Sequence, residues 1–208
     1  MTRLNGGVGL RQRGTAVPRV VTVVGRGHSA DIDYAPGEVW ATNHAWIYGH
    51  TLTKLFLMDG LWEMYKTCED EGISLQQFLD YLEAHPELEL LSAGEEPVHK
   101  DGRLVQQVRR FPIEATSALM PGQYFNSSVA HILAYAAAQT LLGLPKIDII
   151  HMIGFELWGA KIGVESYDQE ACVNYWIAYL NGQGTKVFLP STSLFASTSR
   201  CNMYGYIR

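Results

Sequence analysis

Two clusters of residues in this chain have the types and spacing for chemistry on a phosphate or a hydroxyl group. The first is Gly25-Arg26-Gly27-His28-Ser29. Glycines carry no Cβ and let backbone N–H groups approach an anion, while the arginine adds charge and the serine a hydroxyl donor. The pattern lacks the third glycine of a dinucleotide fingerprint and the Gly-Lys-Ser/Thr of a P-loop. It stands open between a phosphate-facing turn and a plain tight turn. Directly after it, Asp31-Ile32-Asp33 has the D-x-D form that can hold a divalent cation such as Mg²⁺. Nothing nearby supplies a third ligand, and the same acids suit a turn leaving a strand, so no resident metal is firmly implied.

The second cluster is Ser127-Ser128 at the start of an apolar helix, where serines can cap the helix or donate to a phosphate. Single residues at the ends of apolar runs complete the set: Asn43, Asp59, and Gly154 followed by Glu156. Asp59 and Glu156 are the candidate catalytic carboxylates, each able to serve as a general base or a ribose ligand. A solvated strand-end acid is the plainer reading of each. Seven histidines show no H-x-x-x-H or H-x-H pairing, which argues against a zinc site. His131, inside an apolar helix, reads as a core histidine. Cys68, Cys172 and Cys201 form no C-x-x-C pair and read as reduced thiols, none of them a nucleophile.

The elements that must position these residues alternate between strands and helices. Val20 to Val24 is β-branched and apolar, the pattern of a strand buried on both faces. Glu38 to Thr42 and Lys54 to Met58 are further strands, ending at Asn43 and Asp59. SLQQFLDYLEAH from Ser74 reads as an amphipathic helix, with Ser74 and Gln77 at capping-box spacing and Pro86 closing it. Residues 60–118 read as an insertion or lid with an Asp101-Gly102 turn between two extended pieces. Then come a helix capped by Asn126-Ser127-Ser128 and ended by Gly143, and a strand from Ile147 to Ile153. A helix capped by Asp168 runs to Gly182, and the strand TKVFLP follows. Strand, helix, strand with tight links is a βαβ unit, which favours a right-handed crossover and parallel pairing. The expected fold is a single-domain, doubly wound, mostly parallel α/β sheet, Rossmann-like, over residues 19–208. Ligands of such sheets bind at the carboxyl ends of the strands.

Composition sets the outer limits. With 208 residues, 47% hydrophobic and 18% charged, the chain can bury a full core. A net charge of −5 makes non-specific duplex DNA binding unexpected, because that mode needs many cations on phosphates. Residues 1–18 read as a flexible basic arm, with Arg3, Arg11 and Arg13, and Arg19 just after it, as the only charged residues of the first nineteen positions. No apolar run is long enough to span a membrane and no secretory signal pattern opens the chain, so a cytoplasmic location is expected. Tyr175, Trp176 and Tyr179 form an aromatic stripe that suits core packing or the face of a homo-oligomer.

VTVVGRGHSADIDY followed by VWATNHAW resembles the opening of bacterial sialyltransferases of the Campylobacter type. There a strand leads into Gly-Asn-Gly-Pro-Ser, then Ile-Asp-Tyr, then a strand ending in Cys-Asn. The opening is also similar to the Gly-x-Gly-x-Ser start of archaeal 6-hydroxymethylpterin diphosphokinase-like proteins. YFNSSVAHILAYAAAQTLLGLPKIDIIHMIGFEL is similar to the second block of the same group, and the closing text resembles small phage-encoded proteins built on that plan. The likeness covers about two thirds of the chain in two blocks of agreeing order. It implies a nucleotide in the crevice, held at the matching positions Gly25, Gly27, Ser29, Asn43 and Ser127 or Ser128, with Arg26 and Gly154 completing the candidate nucleotide-binding set. The implied activity is a transferase, glycosyltransferase-like with a nucleotide-sugar donor. The alternatives are an Mg²⁺-dependent diphosphokinase with ligands among Asp31, Asp33 and Asp59, or a non-catalytic nucleotide-binding or assembly protein. Arg26, His28 and Glu156 stand where the pattern has asparagine, proline and aspartate.

Overall fold

Val20–Val24 (β1) is the strand around which the protein is laid out: four of its five residues are fully buried, as a two-sided apolar run requires. The protein was studied as a computed structural model that describes residues 17–25, 30, 36–61, 66, 72–119, 125, 127–155 and 164–190. Arg26 to Ser29, Asp31, Asp33, Asn126, Glu156 and nearly all of the basic arm lie outside them.

Beside β1 lie Glu38–Thr42 (β2) and, past a 3-10 turn at Asn43–Tyr48, Lys54–Leu57 (β3). A helix, Leu75–Ala84 (α1), precedes Glu89–Ser92 (β4). Its start is the expected capping box: Ser74 Oγ accepts from the Gln77 N–H at 3.1 Å, and Gln77 Oε1 accepts from the Ser74 N–H at 2.8 Å. Two short strands, Val98–Lys100 (β5) and Arg103–Gln106 (β6), form an antiparallel hairpin about Asp101 and Gly102, at φ 51° and 76°. Lys100 ties it to α1 through Asp80 and Glu83, at 2.5 and 2.8 Å. Val108–Arg110 (β7), the short helix Ile113–Ser117 (α2), Ser128–Ala137 (α3), Ile149–Ile153 (β8), Val164–Gly182 (α4) and Lys186–Phe188 (β9) complete the order.

Seven strands form one sheet in the order β7-β4-β3-β2-β1-β8-β9, and every neighbouring pair runs parallel. This is the expected doubly wound α/β fold, with strand alternation dividing the core in two. Val21, Val23, Trp40, Phe56, Leu91, Ile150 and Met152 face α3 and α4, where Leu133, Ala134, Cys172 and Trp176 meet them. Val24, Val39, Ala41, Leu55, Leu57, Leu90 and Ile153 face the other way, against Trp46, Phe78 and Leu82. Each such fully buried large apolar side chain contributes about 1.5–3 kcal/mol.

Three local expectations are corrected. Residues 60–118 are not mainly an insertion, since β4 and β7 within them extend the main sheet and, among the described strands of that range, the β5–β6 hairpin alone stands apart from it. The helix after Ser127 ends at Ala137 and its chain continues in turns to Gly143, where Gly143 N–H donates to Thr140 O and Leu144 N–H to Gln139 O. α4 begins at Val164, which places Asp168 inside the helix and not at its cap. Arg19, at the start of the domain, is tied down: its backbone N–H donates to Asp148 at 2.8 Å and its guanidinium to Glu38 and Gln139 at 2.6 and 3.0 Å.

Candidate functional site

The chain lays its strands outward from β1 in one direction as far as β7, then returns to place β8 and β9 on the other side of β1. The order therefore reverses between β1 and β8, and their carboxyl ends are where a doubly wound sheet opens a crevice. Gly25 and Gly154 stand at those ends. The Gly25 N–H donates to Ile153 O at 2.8 Å, continuing the ladder one step past the last strand pair. A Cβ on Gly25 would lie 2.3 Å from Gly154 O and 2.6 Å from the Phe155 ring, and one on Gly154 would lie 2.8 Å from Gly25 C. Gly154 also has φ 73°, in the left-handed region. Both glycines are thus accounted for by close backbone approach at the carboxyl ends of β1 and β8.

On the β2 and β3 side, the strand-end residues come together. Asn43 takes φ 43° as the chain leaves β2, a left-handed conformation that asparagine tolerates better than most residues. Its Nδ2 donates to Asp59 Oδ2 at 3.2 Å, across sixteen positions of sequence. Asp59 follows β3 and precedes the left-handed Gly60.

The start of α3 meets the same rim. Ser127 is its N-cap and accepts from the Ala130 N–H at 3.2 Å, while Ser128 is the first helical residue. One turn on, His131 Nδ1 lies 3.0 Å from the Ser127 carbonyl oxygen. A carbonyl only accepts, so Nδ1 carries the proton and the lone pair is left on Nε2. Phe125 stacks on the imidazole at 4.8 Å and Phe111, just past β7, meets it edge-on at 5.4 Å. Burial among these rings holds the His131 pKa below its ordinary value, although the Ser127 carbonyl and the Asp59 charge pull the other way. The imidazole is therefore neutral at pH 7, and Asp59 is near enough to act on it.

Of the residues singled out in the sequence, the structure gathers Asn43, Asp59, Ser127 and Ser128 at the rim of β2 and β3, and Gly25 and Gly154 at the adjoining rim of β1 and β8. Arg26, Gly27, Ser29 and Glu156 lie outside the described residues. The sequence marks His131 as a core histidine and does not mark it as a site residue. It does pack on aromatic rings, yet its spacing of four from the capping Ser127 is the signal that sets it on the helix face at this rim. Among the described residues no group of three or more His, Cys, Asp or Glu side chains is arranged to hold a metal ion. None of the described helices is long and apolar enough to cross a membrane.

What the site belongs to, in class, is a parallel α/β domain with a polar cluster at its strand ends. Compared with known proteins, the chain matches no family model, no curated protein and no solved structure.

Proposed function

We propose that the strand-end crevice binds a nucleotide and that the protein is a nucleotide-dependent transferase, glycosyltransferase-like with a nucleotide-sugar donor. The observation that carries this reading is the Asn43–Asp59 pair set beside the α3 start at one rim of an all-parallel sheet. A helix start of this kind offers unpaired backbone N–H groups and partial positive charge to a phosphate. Asn43, with Nδ2 committed to Asp59, keeps its carbonyl oxygen for a base or ribose donor. Gly25 to Ser29, glycine-rich in sequence, would supply further N–H groups and the Arg26 charge.

In the reaction, the acceptor hydroxyl oxygen attacks the anomeric carbon of the donor sugar. The bond from that carbon to the phosphate oxygen breaks, and the nucleotide leaves with the bonding pair. Asp59 or Glu156 takes the hydroxyl proton, and His131 Nε2 is a third base available at the rim. Donors held on the departing phosphate lower the barrier most.

Thermal-shift measurements with a panel of nucleotides, nucleotide sugars and Mg²⁺-ATP test this reading. Stabilisation by a nucleotide sugar or its nucleotide, lost in Asn43→Ala, is the expected result. A shift that needs Mg²⁺ with ATP and is absent with nucleotide sugars would favour diphosphoryl transfer, with ligands among Asp31, Asp33 and Asp59. Stabilisation by none of the panel would refute nucleotide binding altogether.

A further inference from the structure

A second recess lies on the α3 face of the sheet near the strand starts, away from the rim of Asn43 and Asp59. It is a cleft of about 220 Å³, with Lys54, Glu89, Arg109, Arg110, Tyr135 and Leu144 among its lining residues. Lys54 and Glu89 open β3 and β4 and face each other in the sheet register. Both oxygens of the Glu89 carboxylate are engaged, Oε2 by Lys54 Nζ and Oε1 by Arg109 Nη1.

The arginines are less committed. Arg109 keeps 72% of its side chain exposed, and the bond to Glu89 engages one of five N–H donors. Arg110 is 56% exposed, with its Glu114 partner standing off at 3.4 Å. Three cations and one carboxylate therefore line a recess in a chain whose net charge is −5. Its other walls are apolar: Leu91 and Tyr135 are buried there and Leu144 is exposed at the edge.

We propose that this cleft binds a small amphipathic anion, a carboxylate or phosphate monoester on the Arg109 and Arg110 guanidiniums with its apolar body against Leu91, Tyr135 and Leu144. Guanidinium forks match both acid groups in shape and charge. The volume, below the roughly 300 Å³ at which drug-sized sites begin and equal to about seven waters, leaves room for one ring or short chain beside the acid.

The experiment titrates phenyl phosphate, benzoate and inorganic phosphate into the full chain by calorimetry. It compares wild type with Arg109→Gln, Leu144→Glu and, as a control at the other rim, Asn43→Ala. Saturable binding of phenyl phosphate or benzoate, tighter than that of inorganic phosphate, is expected. It should weaken at least about tenfold in Arg109→Gln and in Leu144→Glu and stay unchanged in Asn43→Ala. Preference for phenyl phosphate assigns a phosphate ligand and preference for benzoate a carboxylate, and either supports the site. Should Arg109→Gln lower the melting temperature, Leu144→Glu at its exposed position carries the test. The proposal is overturned if neither aromatic anion saturates, if inorganic phosphate binds as tightly, or if Asn43→Ala loses binding while Arg109→Gln keeps it.

Discussion

Replacing Gly25 or Gly154 with alanine should force apart the carboxyl ends of β1 and β8. A Cβ on Gly25 would meet the Gly154 carbonyl oxygen at 2.3 Å, and one on Gly154 would meet Gly25 C at 2.8 Å. The obstacles are backbone atoms, which cannot swing aside as a side-chain tip can. Gly25→Ala therefore carries an overpacking cost of about 1–3 kcal/mol. Gly154→Ala carries the same kind of cost plus about 1–2 kcal/mol for its left-handed φ of 73°. One outward shift of the two strand ends relieves both overlaps, so the double variant should cost less than the sum of the single ones, by about 1 kcal/mol or more. Urea unfolding of the four proteins, read by circular dichroism, gives the cycle directly provided the m-values agree. In a domain of this size each kcal/mol should also lower Tm by about 2–4 °C. Strictly additive costs, or a Gly25→Ala variant within about 0.5 kcal/mol of wild type, would refute the close approach.

Two of the side chains with shifted pKa values, His131 and Tyr81, give pH predictions of opposite sign. His131 is held below its ordinary pKa of 6.5 by burial, so the unfolded chain takes up that proton first as pH falls. Its contribution is complete above pH 6.5 and is lost below it, and His131→Asn should flatten that acid slope in urea unfolding; an unchanged slope would contradict the buried imidazole. Burial, aided by the Glu87 charge, pushes the Tyr81 hydroxyl up to about 12 from 10.0. Stability from this site is present below pH 10 and lost between 10 and 12, a loss that Tyr81→Phe should remove, whereas a Tyr81 ionising near 10 in ultraviolet difference spectra would contradict it.

Much of the local structure is legible in the residues. β1 and β2 fall where their apolar runs begin and end, and α1 starts at its capping box, because these features depend on neighbours a few positions away. The same locality explains the errors. Asp168 has the chemistry of a cap but sits within α4, since an acid near a helix start does not say where the start is. β7 is only Val108–Arg110, and its two arginines suit the edge of a sheet, where charge is tolerated. No periodicity can announce a strand of that length.

Taken alone, the sequence determined most of the strands and helices outside residues 86–118, where most caps fall, and that parallel pairing with two covered faces should result. Tertiary structure decided the strand order, and with it the reversal between β1 and β8 that sets Gly25 against Gly154. It also decided that Asn43 bonds Asp59 and that the His131 imidazole feels the same carboxylate. The physical reason is range: capping and alternation act over a few residues, whereas hydrogen bonds and charges act through space between positions whose separation along the chain carries no trace of the contact.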